Sequence, residues 1–341
     1  MLILRPANFA DLQGIERLAA VAGGSLTTLP ANRDYLSELI ERTTRSLRKS
    51  VDRPGTESYH FVLEDSDSQE IVGVSGIEAA VGLGSPFYSY RIEDVVRASN
   101  ELQIHNRIPA LHLCQDYIGS SRLCTLYLEQ PYRSEDNLRL LSLARLLFIA
   151  AHSERFAPRI IAELQGVTDE RGRSPFWESL GRHFFNMELR KANYLTGIDS
   201  KSFIADLLPQ HPVYLPLLSK EARDALGRPR EDAIEVQSLL ETQGFAYRKY
   251  IDIFDAGPTL EAPTHMLRAL THSQILPVNV VESIEAGDTC RPALISNEGL
   301  DRFRCLRTVI DPGNPELGRA EAEALGVGAG DNIRVYWLDR P

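Results

Sequence analysis

An α+β fold built on a mixed sheet is what this sequence predicts, and three observations carry the prediction. Strand-like and helix-like periodicities follow one another in the order β-α-α-β-β-β-α-β up to Glu163. Two β-rich runs are joined by the polar turn Asp65–Gln69, which calls for antiparallel pairing. From about Ser273 the chain becomes rich in Val and Ile with regular turns, the pattern of a small all-β module packed on the rest.

The elements can be justified in order. Leu2–Leu4 is a short apolar run, and after it Phe9, Leu12, Ile15, Leu18 and Ala19 recur at helical spacing. The turn GGSLTTLPAN leads to a second helix with Tyr35, Leu36, Leu39, Ile40 and Leu47 on its apolar side. Next come YHFVLEDSDSQEIVGVSGIEAAVG, read as a hairpin, and an aromatic-rich insertion of short strands at about 82–118. Ser121–Glu129 is the following core strand, Ser134 to about His152 a long helix, and Arg159–Glu163 another strand. PFWESLGRHFF and VQSLLETQGFAYRKYIDIF each read as an amphipathic helix that ends near a glycine and passes into an aromatic, strand-like run, which raises an internal duplication.

Composition excludes several function classes. At 341 residues there is room for about two domains. With 43% hydrophobic and 25% charged residues the chain is neither disordered nor fibrous. A net charge of −10 works against general binding of nucleic-acid phosphates, and it suits a cationic small molecule as well as plain solubility. Cys114, Cys124, Cys290 and Cys305 form no C-x-x-C pair and stand near no histidine cluster, so reduced thiols and no metal are expected. The N-terminus turns polar after four residues, without the outline of a signal peptide. The apolar run LARLLFIAA is interrupted by Arg145 and falls far short of the roughly 20 residues a membrane helix needs. A cytoplasmic protein with no membrane partner is the expectation.

Five stretches then carry a resemblance: LTTLPAN at Leu26–Asn32, FVLEDS at Phe61–Ser66, EAAVGLGSPFYSYR at Glu78–Arg91, SPFWESLGRHFF at Ser174–Phe185, and YIDIFDAGPTLEA at Tyr250–Ala262. The order of elements resembles the acyl-CoA N-acyltransferase (GNAT) superfamily, and these words resemble its arginine N-succinyltransferase family. The resemblance implies a GNAT-like mixed sheet with flanking helices, and succinyl transfer from succinyl-CoA to the α-amino group of arginine or ornithine in arginine catabolism. It implies an oligomer, homomeric or with a paralogous subunit. In these terms the expected division is an acyltransferase core at 1–190 with the insertion at about 82–118, a second GNAT-like half at 191–272, and the β module at 273–341.

The family's succinyl-CoA-contacting leucine falls on Leu126 in LCTLYLE, with Leu128 two residues along on the same face. Plain sheet core is the other reading of both. GNAT loops hold phosphates on Gly-rich backbone, yet counted from Arg133 those glycine positions carry Asp136 and Leu138. SEDN reads instead as a capped helix start, with Ser134 as N-cap and two carboxylates in the first turn. Arg133 and Asn137 are the polar groups left there as cofactor-binding candidates. Aligned on Gly227, the family's proton-donating histidine falls on Arg230, which stays protonated near neutral pH.

Catalytic candidates are therefore Arg230 by position, Glu163 as a carboxylate base on the strand after the long helix, and His183 in LGRHFF. A salt-bridged structural Glu and a packed His are the plainer alternatives. No Walker loop, H-E-x-x-H or G-x-S-x-G occurs. Two readings follow: an active succinyltransferase of arginine, or a catalytically impaired subunit that works with an active paralogue.

Overall fold

The structure, a computed structural model, describes residues 1–22, 28–197, 202–282 and 289–338. Residues 23–27 of the turn GGSLTTLPAN, and the parts of the expected second half and β module at 198–201, 283–288 and 339–341, lie outside the described residues.

The chain begins β1 (Leu2–Pro6), α1 (Leu12–Val21), α2 (Arg33–Arg48), β2 (Ser58–Asp65) and β3 (Glu70–Glu78). It continues with β4 (Ser89–Ser99), β5 (Ile104–Cys114), β6 (Ser121–Leu128), α3 (Glu135–Ala151) and β7 (Arg159–Glu163). Short helices α4 (Arg182–Phe185), α5 (Leu189–Gly197) and α6 (Ser202–Leu207) precede β8 (Val213–Tyr214), α7 (Lys220–Ala225) and α8 (Ile234–Thr242). Then follow β9 (Ala246–Ile251), β10 (Pro258–Pro263), α9 (Arg268–His272), β11 (Gln274–Pro277), β12 (Asn279–Val281), β13 (Arg291–Ser296), β14 (Cys305–Ile310), β15 (Glu316–Gly318), α10 (Arg319–Leu325) and β16 (Asn332–Trp337).

Among the described residues fourteen strands join one sheet in the order β11-β16-β13-β14-β1-β2-β3-β6-β7-β10-β9-β4-β5-β8. Its ladders are antiparallel except for β6 beside β7, which makes the sheet mixed. α3 lies on one face, where Leu141, Leu147 and Phe148 are completely buried and Phe148 packs edge-on against Phe61 and Phe303. α1 and α2 cover the opposite face through Ile15, Leu18, Leu36 and Ile40. Local chemistry explains the helix starts: Asn32 Oδ1 accepts from Tyr35 N at 3.0 Å, and Ser134 Oγ accepts from Asn137 N at 3.2 Å.

Three expectations are corrected. The insertion is one long hairpin, paired from Ser89↔Cys114 to Ser99↔Ile104, not a set of short strands; its outer half is exposed and lacks the alternation that marks a half-buried strand. The C-terminal module is not all-β, because RAEAEAL forms α10, stopped by Gly326 in the left-handed conformation. It packs on the rest through β14, which pairs with β1 and continues the main sheet. After PFWESLGRHFF, Asn186 turns left-handed and the chain enters α5 instead of a strand, so the two stretches that suggested duplication end differently.

Candidate active site

β6 and β7 run side by side only through Ser121↔Ile160, Arg122↔Ile161 and Leu123↔Ala162. Beyond that point they part. The cause lies on the other edge of β6: Cys124 pairs with Gly76 and Tyr127 with Val74, so Thr125 and Leu126 together face Ser75. This is a β-bulge, which bends the strand away from its neighbour. Thr125 takes the left-handed φ of 52° that the bulge requires. Thr28 clamps it, with Thr125 N donating to Thr28 Oγ1 at 3.2 Å and Thr125 Oγ1 to Thr28 O at 3.4 Å.

The gap between the strands opens into a cleft of about 380 Å³. Leu126, Leu128, Leu138, Leu164, Val236 and Leu240 give it an apolar wall, and Arg133 and Arg230 line it too. Its polar part holds Arg122, Glu163, Asp252 and Asp255. Ala162 and Leu164 pack in the core that contains α3, so Glu163 between them projects to the opposite sheet face. Arg122 donates from Nη1 to Glu163 Oε2 at 2.8 Å and from Nε to Glu78 Oε2 at 2.9 Å. Burial pushes the Glu163 carboxyl up, against the pull of Arg122 and helped by Asp252, to about 7. Asp252 is likewise raised to about 7 by burial and by its neighbour Asp255.

The acids are held by backbone. Asp255 Oδ2 accepts from Gly166 N and Oδ1 from Gly257 N, both at 2.8 Å, and Asp252 Oδ1 accepts from Phe254 N at 2.7 Å. The contact is too close for side chains: a Cβ on Gly257 would lie 2.0 Å from Leu164 O, and one on Gly166 2.3 Å from Asp255 O. The segment carrying Arg230 is tied to the same strand end, because Arg230 N donates to Gln165 O at 2.7 Å.

The structure thus brings Glu163, Arg230, Leu126, Leu128 and Arg133 of the sequence candidates to one cleft. Arg230 is engaged bidentately by Asp232 at 2.5 and 2.6 Å, and Arg133 Nη2 donates to Asp232 O at 2.6 Å. Asn137 does not line the cleft; its Nδ2 donates to Tyr132 O at 2.8 Å and braces the loop before α3. His183 is exposed on α4 and no histidine lines the cleft among the described residues. Asp136, which would repel a phosphate, is paired with Arg307 of β14 at 3.0 Å, and Glu135 with Arg139. Leu138, at a family glycine position, is buried core.

Sequence reasoning missed Arg122, Asp252, Asp255 and Arg145 as lining residues. The signals present were the carboxylates of IDIFDAGP and a lone arginine inside an apolar helix. All four cysteines are free, and burial raises the Cys124 thiol in the cleft to about 11, so it is no thiolate at neutral pH. Among the described residues no group of His, Cys, Asp and Glu is arranged to hold a metal, and no helix is long and apolar enough to cross a membrane.

The family model described as "Arginine N-succinyltransferase beta subunit" matches residues 2–269, and that of its C-terminal domain matches 274–336. The chain belongs to the arginine N-succinyltransferase family. It is 43% identical to the arginine N-succinyltransferase of Yersinia pseudotuberculosis over 347 residues, covering 100% of this chain and 99% of that protein. Its relative in Citrobacter koseri, also an arginine N-succinyltransferase, is 42% identical over 99% of this chain and 98% of its own length. The solved structure of arginine/ornithine succinyltransferase subunit AI from Pseudomonas aeruginosa superposes with a TM-score of 0.91 at 40% identity, covering 100% of this chain and 99% of that one.

Proposed function

We propose that this chain transfers the succinyl group of succinyl-CoA to the α-amino group of arginine, a step of arginine catabolism, with the thioester lying in the gap between β6 and β7. The observation that carries the reading is Glu163, a carboxyl of neutral-range pKa at the point where the parallel strands part. The amine nitrogen attacks the thioester carbonyl carbon, a C–N bond forms and the C–S bond breaks. The amine proton passes to the Glu163 carboxylate, and the departing sulfur leaves as CoA thiolate and takes up a proton. A base poised near the working pH is effective for this transfer. The apolar wall beside it keeps the thioester arm in place, which replaces part of the entropic barrier.

The acceptor's own charge fits this side of the sheet. The carboxyls of Asp252 and Asp255 stand near Glu163, and in their ionised form they suit a guanidinium, in keeping with the overall net charge of −10. Arg230 exchanges no proton near neutral pH, and with Asp232 gripping it the residue serves as a fixed piece of the wall. The impaired-subunit alternative is not favoured, since relatives matched over their full length bear the enzyme's name. An oligomer, a cytoplasmic setting and a domain boundary near residue 273 remain part of the proposal; the last is supported by the gap between the two family matches at 269 and 274.

The test is thiol release from succinyl-CoA by this chain purified alone, with and without arginine, and with ornithine in its place. Arginine-dependent release is the expected result. Folded protein that releases no thiol with either amino acid would overturn the proposal.

A further inference from the structure

Among the described residues four arginines line the cleft, Arg122, Arg133, Arg145 and Arg230, and their partners differ. Arg122 is paired with Glu78 and Glu163, Arg133 with Glu235 at 3.8 Å, and Arg230 with Asp232. Arg145 has neutral acceptors only. From the middle of α3 its Nε donates to Ser142 O at 3.1 Å and Nη2 to Ser142 Oγ at 3.0 Å. Nη1 makes two long contacts, to Cys124 O at 3.3 Å and Gly76 O at 3.5 Å. Among the described residues no carboxylate forms an ion pair with it.

Position makes this unusual arrangement informative. Cys124 is the first residue of β6 past the last pair with β7, so the guanidinium reaches the sheet where the strands begin to part. The side chain is 2% exposed and sits on the apolar α3 side. Burying a guanidinium without an acid is costly, and an arriving anion would offset that cost. Burial lowers the group to about 10, which leaves it cationic at neutral pH. A guanidinium has five N–H donors in a fork that matches a carboxylate, and Nη2 has spent only one of its two.

A succinyl thioester carries one carboxylate, at the end of a chain whose other end is the reacting carbonyl. A thioester arm laid against Leu126 would keep that chain inside the cleft that Arg145 also lines. We propose that Arg145 recognises the terminal carboxylate of the acyl donor and so selects a dicarboxylic acyl group. This rests on the reading of the cleft as the acyl-CoA site.

The experiment compares succinyl-CoA with butyryl-CoA, a four-carbon acyl donor that ends in a methyl group, using the whole chain and arginine as acceptor. The wild type should favour succinyl-CoA in kcat/KM by about 100-fold or more, as sites built around a polar partner do. In Arg145→Met that preference should collapse through loss of the succinyl-CoA rate, while the butyryl-CoA rate holds within about threefold and the KM for arginine is unchanged. Arg145→Lys, which keeps the charge and loses the fork, should fall between them and carries the same comparison if the Met variant does not fold. Equal use of both donors by the wild type, or a preference that survives either substitution, would overturn the assignment. Wild-type protein inactive with both donors would instead remove the transfer reading, and this inference with it.

Discussion

Exchanging Glu163 for glutamine removes the one cleft carboxyl that is placed to take a proton from an amine at the strand gap, and the structure gives the size of the effect. With the carboxyl of the unliganded protein near 7, the deprotonated fraction falls about tenfold per pH unit below that value, so kcat/KM of the wild type should show an acid limb centred there, and kcat a limb set by the same group in the substrate complex. Glu163→Gln should lose that limb and about 10²- to 10⁴-fold in kcat, the usual worth of a positioned base, or about 3 to 5 kcal/mol on the barrier. The assay is thiol release at saturating succinyl-CoA and arginine from about pH 5.5 to 9, because kcat reports the groups of the substrate complex. Stability gives an independent reading of the same group. The fold raises this pKa from 4.5 to about 7, so it favours the protonated form. That contribution is complete below about 4.5 and is lost as pH rises through about 7. Glutamine does not titrate, so the Tm of the variant relative to wild type should climb across that window, by an amount equivalent to at most about 3 kcal/mol. A variant that keeps wild-type kcat and the same acid limb would refute Glu163 as the base.

Three further outcomes are expected. Leu126→Glu should abolish acyl-CoA binding by calorimetry while leaving the protein folded, since Leu126 is half-buried on the cleft wall; unchanged affinity would remove this wall from the donor site. Leu138→Gly, which would restore a family glycine, should cost about 3 to 5 kcal/mol in urea unfolding, because here that side chain is core and glycine also weakens a helix; a cost under about 1 kcal/mol would contradict the packing. Gly257→Ala should destabilise by at least about 2 kcal/mol and shift the acid limb of kcat, because its methyl would meet Leu164 O and force the Asp252–Asp255 turn off the end of β7. A variant with wild-type stability would show that the two segments are not locked.

Much of the fold was legible because its signals are local. The hairpin of β2 and β3 announces itself by a polar turn, and α3 by Ser134 with carboxylates behind it. Glu163 and Leu126 could be singled out through the family resemblance, and the clear strand patterns around them only fixed where that resemblance places them. What the sequence hid was long-range. The bulge at Thr125 exists only in relation to β3, and without it nothing says that β6 and β7 separate. Asp252 and Asp255 reach the cleft because two glycines, Gly166 and Gly257, let distant segments touch. Arg145 was visible merely as a break in an apolar run, and its meaning depends on which groups it fails to meet. The helix α10 was missed because its seven residues lie among strands, where a short helical period is easily outvoted.

The glycine-free start of α3 and the Thr125 bulge bear on one question, how the proposed acyl-CoA donor would be held. A glycine-free start to α3 can still present backbone N–H groups provided its own carboxylates are turned away. Asp136 is turned away by Arg307, which comes from the C-terminal module through the β14–β1 junction. On the proposed reading the module would contribute to donor binding, because its Arg307 offsets a charge that would oppose an anionic donor. Across the sheet the sign is reversed, with Glu163, Asp252 and Asp255 near the gap. On the proposed reading, a cleft that is acid-rich toward one face and cationic at Arg145 toward the other would give a cationic acceptor and an anionic donor opposite ways in. The bulge is what lets the two meet, because a fully paired sheet would keep those faces apart.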